Sequence, residues 1–453
     1  MLGDTIVARA TPRGFSSVSI IRLSGAKSTR LSKKITEPNL SNKLPKKEGV
    51  DNWGVSVRRA TLLPVYLDDN IKIDDAVFTY FKEPESYTGE DVVEISCHGN
   101  PHITDSIINR LCELGARVAE PGEYTKRAFL SGKIDLVQAE SIGLLISSRS
   151  SMIAKKQSLI LKGSLSTLIE NLRKSLLKTL AELEFEFDIS ENDILRTGLR
   201  REIVKSLKNN NLSIYNLLET YSEGRVYKEG VRVVLCGQPN AGKSTLMNAL
   251  LGEERSIISP TPGTTRDTVT SDLNLGGIPI TLIDTAGIDR PRGTIEAEGI
   301  ARTKKEIVNA DIVIYVFSGD TKLVDFIEDR KSLVVFNKID KFPKLGLPHV
   351  SCSVSAINGK GIKNLRSLIE KKVSQITGES NDVFLNTLRQ KRSLVHCSDF
   401  LEKAKRNIQP PSPLYELAAA DIRSAIDCLE VFLGKTPSEE VLAEVFSGFC
   451  VGK

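Results

Sequence analysis

The stretch GQPNAGKS at residues 237–244 follows the apolar run VRVVLC and precedes TLMNALLG, and it constrains the fold more than any other feature. A strand, a glycine-containing loop and a helix in that order aim backbone N–H groups and a helix N-terminus at phosphate oxygens. Gly237 and Gly242 let the backbone curl, Lys243 reaches the β- and γ-phosphates, and Ser244 can ligate Mg²⁺. Residues 230–378 alternate short apolar strands (VRVVLCG, ITLIDTAG, DIVIYVF, SLVVFNKID) with helical text, which predicts a mostly parallel sheet in an α/β domain.

Three further elements follow the loop in order. Asp284 of DTAG ends a strand, where a carboxylate can hold Mg²⁺ through water and Gly287 can sense the γ-phosphate. In NKID (337–340), Asp340 can accept from guanine N1–H and the exocyclic amine, a donor pair that adenine lacks. The run CSVSA (352–356) fits the supporting loop that contacts the base. Between them, SPTPGTTRDT (259–268) offers Thr264 and Thr265, either able to complete a Mg²⁺ shell, and reads as a first switch. Together these predict a GTPase domain.

The residue after DTAG is Ile288, which cannot orient an attacking water as a glutamine would. Glu296 and Glu298 of TIEAEGIAR stand further on, at what reads as a helix start. Either could position water, or simply favour the helix dipole.

The rest of the chain divides into two other kinds of text. Residues 1 to about 120 are strand-rich (TIVARA, SVSIIRLSG, ATLLPVYL, DDAVFTYF, DVVEISC), with one helix, HITDSIINRLCELG, ending at a glycine cap. The polar segment from Leu31 to Asn52 reads as a mobile surface insertion. From about 134 to 222, and again from about 383, apolar residues recur three and four apart. Two helical blocks around an α/β segment suggest an insertion into one helical domain, the alternative being two independent bundles. A chain of 453 residues exceeds one core. No apolar run of about eighteen residues occurs, so no membrane span is expected. The N-terminus has no apolar signal core. Seven cysteines without a CxxC spacing and four scattered histidines point to reduced thiols and not to structural zinc. The net charge of +5 is mixed in sign and only permits nucleic-acid binding.

Longer stretches go beyond any generic nucleotide motif: DTIVARATP, IIRLSG, SYTGEDVVEISCHGNP, PGEYTKRAFLSGKIDLVQAE, GQPNAGKST, PGTTRD, DTAGI with IEAEGI, NKID and the terminal FCVGK. Over essentially its whole length the chain resembles the MnmE (TrmE) family of tRNA-modifying GTPases. The resemblance implies a multidomain α+β and α/β chain. It would comprise an N-terminal folate-binding and dimerisation domain at 1–122, an all-α domain at 123–222 and 381–453, and an inserted Ras-like G domain at 223–380. It implies a potassium-activated GTPase in which two G domains meet face to face. The nucleotide would be held by Asn240, Ala241, Gly242, Lys243, Ser244 and Thr245 and by Asp284, Thr285, Ala286 and Gly287. The base would be read by Asn337, Lys338 and Asp340 with Ser355, Ala356 and Ile357. K⁺ would fall to Asn240 and to the loop Ser259, Pro260, Thr261, Pro262, Gly263 and Thr264, with Ser259, Thr261 and Thr264 as loop ligands. Mg²⁺ would fall to Ser244 and Thr265, and water orientation to Glu296 beside Lys243.

In the N-terminal domain the resemblance places a 5-formyl- or methylene-tetrahydrofolate against Arg22, Glu94, Lys133 and the terminal Lys453. By charge, Arg22 and Lys133 could meet the glutamate carboxylates of folate and Glu94 the pterin N–H groups. Cys450 matches the family's near-terminal cysteine and is carried over with the catalytic residues. The implied product is an aminomethyl or carboxymethylaminomethyl group at C5 of a wobble uridine. It is made by a homodimer together with the flavoprotein MnmG, as a heterotetramer in a bacterial cytoplasm. The rival is a regulatory or ribosome-assembly GTPase switch, which has no reason to carry the N-terminal block or FCVGK.

Overall fold

In the first compact unit, residues 1–143 and 430–453, alternating side chains decide which sheet face is covered. The computed structural model describes residues 3–37, 53–68, 71–148, 151–189, 197–252, 269–285, 304–321, 329, 331–342, 349–377, 383–409 and 413–452. The chain forms β1 (Ile6–Arg9), β2 (Ser16–Ser24), α1 (Ser28–Thr36), β3 (Thr61–Tyr66), β4 (Lys72–Phe81), β5 (Val92–Gly99), α2 (Pro101–Glu113), β6 (Arg117–Val118) and α3 (Glu123–Leu130). The strands lie in the order β3-β4-β5-β2-β1-β6, antiparallel except for β6 on β1. Ile21 and Leu23 of β2 and Val93, Ile95 and Cys97 of β5 point to one face, where Leu31, Ile35, Ile107 and Leu111 of α1 and α2 cover them. Each fully buried aliphatic side chain there contributes roughly 1.5–3 kcal/mol. The period of two puts Arg22 and Glu94 on the opposite face, directly across from each other in register. The helix α2 ends as the sequence predicts: Gly115 takes φ +110°, and the Gly115 and Ala116 N–H groups donate back to the Cys112 and Leu111 carbonyls.

The segment from Leu31 is not a surface insertion throughout. Residues 28–36 form α1, with Leu31 and Ile35 buried, and Trp53 packs edge-on to Phe78 while its indole N–H donates to Thr36 Oγ1 at 3.1 Å. Two apolar residues one turn apart among Ser, Thr and Lys carry little periodic signal, and only the sheet supplies the apolar partner. The interval 38–52 lies outside the described residues.

Residues 144–429 form the second unit. Its elements are α4 (Leu136–Ser147, which begins in the first unit), α5 (Ser151–Leu161), α6 (Ser164–Ile189), α7 (Thr197–Glu219), α8 (Tyr221–Glu229), β7 (Val231–Cys236), α9 (Lys243–Leu251), β8 (Val269–Leu275), β9 (Ile278–Asp284), β10 (Ile312–Ser318), β11 (Ser332–Asn337), β12 (Cys352–Ser353), α10 (Ile362–Thr377), α11 (Leu388–Asn407) and α12 (Tyr415–Leu433). The sheet order is β12-β11-β10-β7-β9-β8, all parallel but for edge strand β8. Its central strands are buried on both faces, as their continuous apolar text requires. Helices from both sides of this α/β segment pack on each other. Asn211 of α7 donates to Glu402 of α11 at 2.8 Å, and buried Gln157 of α5 exchanges amide hydrogen bonds with Asn386. Helical segments before and after residues 230–378 are thus joined by side-chain hydrogen bonds within the second unit. The last helix, α13 (Glu439–Ser447), belongs to the first unit.

Candidate functional site

The loop after β7 is shaped by backbone conformations that few residues accept. Gly237, Asn240 and Gly242 have φ of +157°, +65° and +87°. A Cβ on Gly237 would stand 2.1 Å from the Val316 carbonyl oxygen, and one on Gly242 would stand 2.4 Å from Asn337 Nδ2. The loop thus closes between two neighbouring strand ends. Lys243 opens α9, is buried, and donates from Nζ to the Gly237 and Gln238 carbonyls at 3.0 and 3.1 Å. Burial pushes its pKa down.

Ser244 Oγ donates to Asp284 Oδ2 at 2.6 Å, which brings together two residues forty positions apart. The other carboxylate oxygen, Oδ1, is buried and has no hydrogen-bond partner among the described residues. A hydroxyl and an orphaned carboxylate oxygen beside a phosphate-binding loop form a hard oxygen donor set that fits Mg²⁺. Thr285 fixes the strand end by donating from Oγ1 to the Leu235 carbonyl at 2.8 Å.

Asn337 clamps two loops, a role the sequence does not announce. Its Nδ2 donates to the Ala241 carbonyl at 3.0 Å, while Oδ1 accepts from the N–H groups of Lys338 and Ala356 at 2.8 and 3.1 Å. One buried amide therefore ties the loop at Ala241 to the loop at Ala356. Ser355 Oγ donates to Asp340 Oδ1 at 2.5 Å, and that bond holds the exposed Asp340 carboxyl below the usual carboxylate range. Lys338, at φ +61°, pairs with Asp320 at 2.8 Å. Thr245 and Ile357 are exposed at the same end of the sheet. Ser259 to Thr265, Ala286, Gly287, Glu296 and Lys453 lie outside the described residues.

On the open face of the first sheet, Arg22 donates from Nε and Nη2 to Glu94 Oε1 at 2.9 and 2.7 Å. Its guanidinium lies 5.7 Å from the ring centroids of both Tyr87 and Tyr124. Tyr124 donates to the Arg22 carbonyl at 2.5 Å, and the Tyr87 hydroxyl meets Thr125 Oγ1 at 2.9 Å. Burial raises the pKa of both phenols, so they remain neutral. A cavity of about 450 Å³ opens beside the pair, lined by Arg58, Phe81, Glu85, Tyr87, Glu94 and Lys133 among others. Aromatic walls with two carboxylates and two cations fit a planar, polar ligand that carries both N–H donors and acidic groups. Arg22, Glu94 and Lys133 are thus gathered, with Arg22 turned to Glu94. Buried Arg127 fixes the wall behind them through ion pairs with Asp4, Glu90 and Glu123 at 2.7, 3.1 and 2.9 Å. Tyr87, Tyr124 and Arg127 sit within the quoted stretches SYTGEDVV and PGEYTKRAFL, yet nothing local marks them.

The C-terminal segment is fixed to the same unit. Val451 bridges to Pro121, and the Cys450 carbonyl accepts from Gly122 N–H at 3.4 Å. The Cys450 side chain is exposed. Phe446 and Phe449 pack at 5.7 Å, over the cluster of Phe129, Leu136 and Leu442.

With this geometry in hand, the comparisons place the chain among known proteins. The family model for the MnmE helical domain matches residues 136–450, and that for the GTP-binding protein TrmE N-terminus matches residues 5–133. The chain is 34% identical over 467 residues to a tRNA modification GTPase MnmE of Thermotoga sp. (strain RQ2), covering 99% of this chain and 100% of the relative. It is 37% identical over 469 residues to the protein of that name from Caldicellulosiruptor saccharolyticus, covering 99% of each. It is 36% identical over 461 residues to the one from Aquifex aeolicus, covering 99% of this chain and 100% of the relative.

Proposed function

The chain belongs to the MnmE family of tRNA modification GTPases, and on that premise we propose that it hydrolyses GTP in a K⁺-dependent manner to drive wobble-uridine modification with MnmG, using a folate-borne one-carbon unit. The observation that carries this reading over a bare GTPase switch is the cavity in the first unit, where Glu94, Lys133 and Tyr87 converge. A switch without chemistry of its own has no use for such a cavity.

In the second unit, Lys243 is desolvated and turned toward the loop, so its ammonium can transfer from the Gly237 and Gln238 carbonyls to phosphate oxygens. Ser244 and Asp284 would hold Mg²⁺, and Thr265 would join them. Bound there, the ion neutralises charge on the β- and γ-phosphates. Asn240 projects from a left-handed turn of the loop and would offer its carbonyl oxygen to K⁺, with Ser259, Thr261 and Thr264. Glu296 would orient the attacking water in place of the missing glutamine. In the first unit, Arg22 orients Glu94, whose carboxylate can accept from pterin N–H groups. A homodimer with MnmG and tRNA as partners completes the reading. No helix among the described residues is long and apolar enough to cross a membrane.

GTP turnover is expected to be much faster in KCl than in NaCl, and Asn240→Ala should flatten that difference. Equal wild-type rates in the two salts, measured by phosphate release, would remove the potassium role. Glu296→Ala should cost kcat far more than GTP affinity, by about a hundredfold or more, because a water-orienting group acts in the transition state. If Glu298→Ala shows that loss and Glu296→Ala does not, the assignment moves to Glu298. The overall reading is tested by mass spectrometry of wobble uridines in tRNA from cells lacking the protein. Unchanged modification there sinks it.

A further inference from the structure

We propose that Arg58 forms the anion-binding end of the cavity beside Glu94 and holds a glutamyl carboxylate of the bound folate; this deepens the folate reading and rests on it. Arg22 cannot readily fill that role, since both Nε and Nη2 are already directed to Glu94. Arg58 lines the same cavity. Its backbone has φ +58°, a left-handed conformation that long side chains rarely adopt and that costs free energy unless the surroundings impose it. Here the surroundings do impose it: Val57 bridges to Tyr80, and Arg58 N–H donates to the Tyr80 carbonyl at 2.7 Å.

The result of that strain is placement. The guanidinium lies 5.7 Å from the Phe81 ring centroid, and Nη2 donates to the Glu85 carbonyl at 2.6 Å. The Glu85 carboxylate stands 3.8 Å away and is 81% exposed. Such an exposed pair contributes little and yields readily to a carboxylate inside the cavity. The sheet register sets the polarity of the site. Glu94 faces Thr79 and Val92 faces Phe81, so Arg58 above Phe81 lies across β4 from Glu94. An elongated ligand with ring N–H donors at one end, an aromatic middle and carboxylates at the other matches Glu94, then Tyr87 and Phe81, then Arg58, with Lys133 also on the cavity wall. A planar guanidinium suits a carboxylate better than an ammonium does, because its fork can bind both oxygens.

The test is calorimetric titration of the full-length protein with (6S)-5-formyltetrahydrofolate and with its dimethyl ester, in which both glutamyl carboxylates are blocked. Wild type should bind the free acid about tenfold tighter than the ester or more, and Arg58→Asn should cut that preference about fivefold or more while leaving ester binding unchanged. Asparagine tolerates the left-handed conformation, so the variant should fold with a Tm close to that of wild type. An Arg58→Asn variant that keeps the wild-type preference overturns the proposal. So does an equal loss for both ligands, which would mark a structural role. A wild type that binds neither ligand removes the folate reading first, and the proposal with it.

Discussion

Asp340→Asn is expected to lower GTP affinity by about a hundredfold or more, and to raise affinity for XTP. Guanine presents two donors at one edge, N1–H and the exocyclic amine, and an ionised carboxylate is acceptor-only, so it can meet both. The Asp340 carboxyl is ionised at neutral pH, and the Ser355 hydroxyl, donating to Oδ1 at 2.5 Å, holds its pKa below the ordinary value. With asparagine, the amide NH₂ confronts the guanine amine, so one charge-assisted hydrogen bond becomes a donor–donor clash and the other loses its charge. Each charged bond contributes about 1.5–3 kcal/mol, and 1.4 kcal/mol is a factor of ten, so the two together set the expected loss. Xanthine carries a carbonyl where guanine has the amine, and the asparagine NH₂ can donate to it. Nucleotide titration of both ligands decides the matter. Loss of GTP affinity without a gain for XTP would mean that the loop has collapsed, and unchanged GTP affinity would remove Asp340 from base recognition.

Asp340 also illustrates what the sequence could and could not disclose. The residue type, its place after an apolar strand and the order of motifs are local facts, and the parallel sheet follows from runs such as IVIYVF and SLVVFN, buried on both faces. Likewise the alternation in VVEISC sends Val93, Ile95 and Cys97 to the core and leaves Glu94 on the open face. Contacts between distant segments were not legible. Asn337 looks like a generic motif residue, yet it joins Ala241 to Ala356. Arg127 looks like a solvated helix cation, yet it is buried against carboxylates from three segments. Arg58 sits between breaks with no pattern around it, and only its backbone conformation and the cavity single it out. The helix α1 escaped for the same reason, because its apolar content is too small to register without the sheet it covers. Arg22 was expected to face a ligand carboxylate, and its pairing with Glu94 follows from strand register, which no local pattern fixes.

Gly452→Val should abolish folate binding and tRNA modification while leaving K⁺-stimulated GTP hydrolysis largely intact. The C-terminal segment is held by few contacts: the Val451 bridge to Pro121, the Cys450 carbonyl on Gly122 N–H, and Phe449 against Phe446. Gly452 then passes over β1 with φ +98°, so close that a Cβ would stand 2.0 Å from the Arg9 carbonyl oxygen. That oxygen cannot retreat easily, because Arg9 pairs with Ile21 in the sheet and its side chain is tied to Asp105 at 2.9 Å. Any side chain at 452 must therefore lift the tail. The adjacent position on β1, Ala8, pairs with Arg22, so the tail is delivered to the strand beside the cavity's ion pair. An ammonium at Lys453 can contribute to an anionic ligand only from a fixed position, since an untethered segment would pay the full entropy of ordering on each binding event. The phosphate loop lies in the other compact unit, which is why hydrolysis should survive. Deletion of Val451 to Lys453 should reproduce the phenotype without introducing a clash. If both variants bind 5-formyltetrahydrofolate with wild-type affinity in calorimetry, the tail is a packing element alone and Lys453 has no part in the site.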